Sequence, residues 1–253
     1  MEQLTGQLQL LAFDFEMEGW LPCEGQQLAV MEHPDLSTLS SPIGGNESNA
    51  FRIPNLKDAG LAKNHTRWQI ALNGTFPSED SNVDTLLGEI RLLAYNKAEI
   101  KGWHLCDGSI LPTSKNQALS TLIGNKFGGD NINFKLPDLR LYEPINSNPP
   151  VSYYISTNGA YPSYDETTFT QIEQFTGTIA LFPYNFVPAG WALCNGQLLD
   201  VRNNQDLYSL IGNNYGGDEK RGVFALPNFM GYEPIKGLNY CIVLSSEYPT
   251  KKF

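Results

Sequence analysis

Three tandem repeats, each of short strands with one short helix, make a mainly β protein the fold class that this sequence predicts; three copies in one chain suit a pseudo-threefold arrangement. Three observations carry the prediction. The segment Gly-Trp-x-x-Cys-x-Gly occurs as GWLPCEG (19–25), GWHLCDG (102–108) and GWALCNG (190–196). From its Trp to a later Ile/Leu-Pro pair the spacing is 34 residues in the first two copies (20 to 54, 103 to 137) and 36 in the third (191 to 227). The composition, with 23 Gly and only 17% charged residues against the roughly 25% usual for soluble domains, is that of a turn-rich β protein. Self-similarity at a fixed period is the mark of a repeat architecture.

Each copy opens with a Gly and an apolar, β-branched run, GEIRLLAY (88–95) and GTIALFPY (177–184), which reads as a strand. The Gly-Trp segment follows as strand and turn. NQALSTLIGN (116–125) and NQDLYSLIGN (204–213) read as short helices: Asn stands at the cap, Leu119, Leu122 and Ile123 share one face, and Gly124 stops the run. A Gly-Gly-Asp turn comes next, at 128–130 and 216–218. After the Leu-Pro pair a last strand closes the copy: WQIAL (68–72), SYYIS (152–156) and NYCIVL (239–244). The repeats are expected over 1–75, 86–158 and 175–253. Polar linkers at 73–87 and 157–176 belong on the surface. The first copy is degenerate: it has HPDLSTLSSPIGG where the others have Asn-Gln-x-Leu, with Pro34 at the expected helix start. Terminal repeats face a different neighbour, which permits such drift.

Composition also excludes. A net charge of −10 argues against a sequence-independent grip on nucleic acid, which needs Lys and Arg to neutralise phosphates, and against anionic membrane surfaces. No run approaches the ~18 apolar residues of a membrane span. The N-terminus lacks a basic region, and Asp14, Glu16 and Glu18 break its apolar stretch, so no signal peptide is expected and synthesis is placed in the cytoplasm.

Candidate chemistry is sparse. Cys23, Cys106 and Cys194 stand singly, one per copy, in a chain with three His, so they are expected as metal-free small hydrophobes packed on the Trp beside them. Cys241 has Gln69 and Tyr154 as its equivalents, so no disulfide repeats and all four thiols are expected to be reduced. The Gly-Gly-Asp stretches lack the Gly-Lys-Ser/Thr of a phosphate loop and read as tight turns. His104 has no nucleophile partner and reads as a surface residue. No catalytic residue and no cofactor is predicted. The predicted core is Trp20, Trp103, Trp191, Cys106, Cys194, Pro137 and Pro227. The predicted binding residues are Tyr215, Asp218, Glu219, Lys220 and Arg221, in the loop that differs most between copies, and Tyr161 and Tyr164 in the second linker. Tyr153, Tyr154 and Phe169 fall with those linker tyrosines as stacking or packing residues.

The third copy, at Phe182, Pro188, Gly190-Trp191, Cys194-Asn195-Gly196, Leu207, Leu210, Gly212, Tyr215-Gly216-Gly217 and Leu226-Pro227, resembles the phage tail collar domain of short tail fibres and the related microcystin-dependent protein group. The second copy matches nearly as well. The resemblance implies a non-enzymatic structural or adhesive part of a phage tail or tail-like injection particle: a cap, tip or adaptor. Its partners would be other tail, baseplate or fibre proteins; the alternative is a free-standing module that binds a cell-surface glycan. Collar domains of such fibres associate as threefold trimers, one copy per chain. Here linkers of ~15 to 20 residues span up to ~50–70 Å at ~3.3–3.6 Å per residue, enough for one chain to step around an axis by itself.

Overall fold

The computed structural model describes residues 3–39, 49–58, 61, 65–77, 85–94, 100–143, 151–163 and 174–252. Sixteen strands and three short α-helices are seen among them, with four 3-10 turns. In unit 1 they are β1 (Gln7–Leu11), β2 (Trp20–Pro22), β3 (Gln27–Ala29), α1 (Pro34–Leu39), β4 (Ala50–Arg52) and β5 (Arg67–Ala71). Unit 2 repeats the order with β6 (Ile90–Leu93), β7 (Trp103–Leu105), β8 (Ile110–Pro112), α2 (Gln117–Ile123), β9 (Asn133–Lys135) and β10 (Ser152–Ser156). Unit 3 has β11 (Thr178–Phe182), β12 (Trp191–Leu193), β13 (Leu198–Asp200), α3 (Gln205–Ile211), β14 (Gly217–Asp218), β15 (Val223–Ala225) and β16 (Asn239–Val243).

Each unit folds its closing strand between its opening strand and its Trp strand, all antiparallel: β1–β5–β2, β6–β10–β7 and β11–β16–β12. Gly19, Gly102 and Gly190, at φ +78°, +78° and +79°, turn the chain into the Trp strand in a conformation open to glycine at little cost. The three opening strands then pair with one another: β1 with β6 (Leu8 opposite Leu92), β1 with β11 (Leu10 opposite Ile179) and β11 with β6 (Leu181 opposite Ile90). That closed triangle joins the three units into one nine-stranded sheet around a pseudo-threefold axis.

Strand alternation divides the core into two faces. On one face Leu8, Leu10, Ile90, Leu92, Ile179 and Leu181 pack under the helices, with Leu36, Leu119 and Leu207 among their neighbours. On the other, Leu11, Leu93 and Phe182 pack with Trp20, Trp103 and Trp191 respectively. Each Trp cluster is completed by another unit: Phe175 of unit 3 on Trp20, Leu4 of unit 1 on Trp103, Leu86 of unit 2 on Trp191.

Three expectations are corrected here. The Cys three residues after each Trp does not pack on it, because that spacing along extended chain points the two side chains to opposite faces: Cys23 and Cys106 join one helix-side cluster and Cys194 the other. Asn116 and Asn204 sit at the helix starts without side-chain capping bonds. Their amides turn back and donate to the carbonyls of Pro112 (3.2 Å) and Asp200 (3.0 Å), closing the tight turn before each helix. Tyr153 and Tyr154 are buried in β10 and belong to the core rather than to the linker.

Candidate functional site

Gly-Gly-Asp builds the loop singled out in unit 3. A Cβ on Gly217 would stand 2.6 Å from the Val223 carbonyl oxygen, so only glycine lets β14 lie against β15. Asp218 then accepts from the backbone N–H of Lys220 (3.0 Å) and Arg221 (3.4 Å) and starts a 3-10 turn over Glu219–Arg221. Glu219, Lys220 and Arg221 are exposed and Asp218 is half-buried. In unit 2 Asp130 plays the same part, accepting from Ile132 and Asn133 at 2.8 and 2.7 Å, and these bonds hold its carboxyl below the usual range. The stretch is turn architecture that projects charge.

The predicted tyrosines do not gather at that loop. Tyr215 is half-buried, and its hydroxyl donates to the Ala12 carbonyl of unit 1 at 3.0 Å; burial pushes that hydroxyl's pKa up. It is a clamp between units 3 and 1. Tyr161 is 52% exposed. Tyr164 and Phe169 lie outside the described residues. Trp20, Trp103, Trp191, Pro137 and Pro227 are all buried. All four Cys are buried free thiols whose pKa burial raises, Cys241 to about 12. Among the described residues no group of His, Cys, Asp and Glu is placed to hold a metal, and no helix is long and apolar enough to cross a membrane. His104 is half-buried, with Nδ1 3.0 Å from the Leu105 carbonyl.

Two features escaped sequence reasoning. Unit 1 carries a surface groove of ≈470 Å³ lined by Asp14, Glu24, Asp58, His65, Arg67 and Trp68. Arg67 donates to Glu24 (3.0 Å) and to the Asp14 carbonyl (2.6 Å). His65 at φ +73° is, among the described residues, the one non-glycine in the left-handed region, and its ring stands edge-on to Tyr215. The signal was present as a difference between copies: Trp68 stands where the others have Tyr153 and Tyr240, and Lys57-Asp58 stands where they have Arg140-Leu141 and Met230-Gly231.

The second feature lies where the opening strands meet. Gln7, Gln9, Glu89, Arg91 and Thr178 are all at most 5% exposed there. Arg91 donates from Nε to Glu89 Oε1 (2.8 Å), from Nη2 to Glu89 Oε2 (3.2 Å) and from Nη1 to Gln7 Oε1 of unit 1 (3.0 Å). Gln7 donates on to Gln9 (3.2 Å), and Gln9 to the Ile179 carbonyl of unit 3 (3.3 Å). The Arg91 guanidinium also lies 5.2 Å from the centre of the Trp103 ring. A continuous polar chain thus crosses all three units.

In comparison with known proteins, the family model described as Phage Tail Collar Domain matches three times, over residues 6–59, 88–144 and 177–234, together about two thirds of the chain. No curated protein and no solved structure matches.

Proposed function

Because this chain belongs to the phage tail collar domain family, with a non-enzymatic and tail-associated structural role, we propose that it serves as a single-chain cap or adaptor of a phage tail or tail-like injection particle. The observation that carries this reading is the mutual pairing of β1, β6 and β11. A threefold surface normally requires three subunits, and identical subunits offer three identical faces. Here one chain supplies all three units, so unlike faces stand around one axis: a groove on unit 1, and a loop carrying Asp218, Glu219, Lys220 and Arg221 on unit 3. An adaptor between a threefold element and neighbours of lower symmetry needs that property.

Gel filtration with light scattering tests it. A compact particle near the 28.1 kDa chain mass is expected, and a mass about three times larger would overturn the single-chain ring. Reversing the loop charges, Lys220→Glu with Arg221→Glu, is expected to lower incorporation into purified particles at least about tenfold, since contacts at exposed loops on a rigid scaffold carry recognition. Unchanged incorporation would reduce the loop to mere surface.

The groove in unit 1 favours a second reading, a glycan-binding module. An indole face beside carboxylates and a guanidinium can stack on a sugar ring and bond its hydroxyls. Binding to purified cell-surface polysaccharide that is lost in Trp68→Ala would support it; binding that survives the substitution would remove the groove from consideration.

A further inference from the structure

The backbone at the axis has approximate threefold symmetry, but the buried side chains there do not, and from this contrast we propose that they dictate the order of the units. Equivalent positions carry Gln7, Glu89 and Thr178, and two residues on, Gln9, Arg91 and Ala180. The proposal rests on the single-chain ring and deepens it. A closed ring of three linked units can be wound in either of two cyclic orders, and the linkers are long enough for both. Main-chain pairing does not choose between them, because any opening strand can bond any other.

The side chains do choose. The polar chain runs from unit 2 to unit 1 to unit 3: Arg91 reaches Gln7, and Gln9 reaches the Ile179 carbonyl. Backbone bonds run the same way, from Ala94 N to the Gly6 carbonyl (3.1 Å) and from Ala12 N to the Gly177 carbonyl (3.0 Å). At the third join, from unit 3 to unit 2, both are missing by sequence. Ala180 has no polar reach and Pro183, at the position of Ala12 and Ala94, has no N–H. Different bonds replace them: Tyr184 donates its hydroxyl to the Leu87 carbonyl, and Lys126 donates to the carbonyls of Pro183 and Gly237.

Exchange two units and the pattern fails. Arg91 would face the short Thr178 hydroxyl in place of the Gln7 amide. Three copies of unit 2 would bury three Glu and three Arg together, whereas three copies of unit 3 would set only Thr and Ala around the axis. A buried ion pair contributes little net stability compared with apolar packing of the same volume, and the best-attested use of such groups is to fix register and partner. The consequence is functional. The unit 1 groove and the unit 3 loop stand in one handed order around the axis, and collar units of another kind are refused a place in the ring.

The test uses the full chain. In one variant the charged pair is moved around the axis without changing the set of residues: Gln7→Glu, Gln9→Arg, Glu89→Gln and Arg91→Gln. It is expected to melt about 5–10 °C below the parent. In a second, Gln7→Leu, Gln9→Leu, Glu89→Leu and Arg91→Met make the axis apolar. That variant is expected to stay folded but to show more than the four indole N–H resonances of a chain with four Trp. A relocated pair melting with the parent, or an apolar axis giving one set of four resonances, would overturn the proposal. Light scattering on the parent tests the ring reading separately: a trimeric mass there would refute the ring itself.

Discussion

Replacing Arg91 by Met is expected to destabilise the protein by about 3–5 kcal/mol, the usual cost of removing one partner from a buried ion pair. The reason lies in Glu89, whose side chain is 1% exposed. Its carboxylate accepts from Arg91 twice, from the Thr85 hydroxyl at 2.8 Å and from the Leu86 N–H at 3.4 Å, so it is held in place and has no route to water. With the guanidinium gone, a charge stays buried with only neutral donors. Gln7 loses its charged donor from unit 2 in the same step, and the Trp103 ring loses its cation. For a chain of this size, about 2–4 °C of melting point per kcal/mol makes the shift easy to read by calorimetry. Adding Glu89→Gln to Arg91→Met is expected to restore most of the loss, because a neutral amide costs far less to bury than a carboxylate. A single variant that melts with the parent would mean that water reaches the pair.

Trp191→Ala is expected to cost a similar amount, about 3–5 kcal/mol, from the lost transfer energy of the indole and the cavity left behind. Phe182 stands edge-on to the indole at 4.8 Å, and Leu86 of unit 2, Cys241 and Val243 complete the cluster. The cavity would therefore open at the join between units 2 and 3 and not inside one unit. Two measurements follow. The denaturation midpoint should fall, and Cys241, whose thiol burial holds at a pKa of about 12, should react with a disulfide reagent at least about tenfold faster than in the parent. Trp191→Phe should retain much of both. A midpoint and thiol reactivity equal to the parent's would show that the indole is not the plug described.

Both predictions concern residues buried where units meet, Arg91 against Gln7 of unit 1 and Trp191 against Leu86 of unit 2, and there the sequence was least legible. Sequence pattern places the Trp residues in the core, but it points to the Cys residues three positions on as their neighbours. Alternation along the chain sends each Cys to the other face, and the vacancy beside each Trp is filled by Phe175, Leu4 or Leu86. Glu89 and Arg91 stand two residues apart in GEIRLLAY and so share one strand face, but that spacing does not say whether the face meets water. Only the meeting of three such strands removes the water. Tyr215 is adjacent in sequence to the charged loop, yet its hydroxyl donates to the Ala12 carbonyl of unit 1.

What the sequence determined by itself is local and repetitive: three units, the succession of opening strand, Trp strand, short helix and closing strand along each, and glycine turns at fixed places. Those features follow from patterns within about 35 residues, where alternation, helical spacing and positive φ are written directly into residue type. The tertiary structure alone decided which strand lies beside which. A main-chain ladder bonds any sequence to any other, so nothing in GQLQLL, GEIRLL or GTIALF marks them as mutual partners. Their pairing is chosen by burial: when the three opening strands close on one another they shelter two apolar faces at once, and Arg91 and Gln9, caught between them, bond across the units to Gln7 and the Ile179 carbonyl.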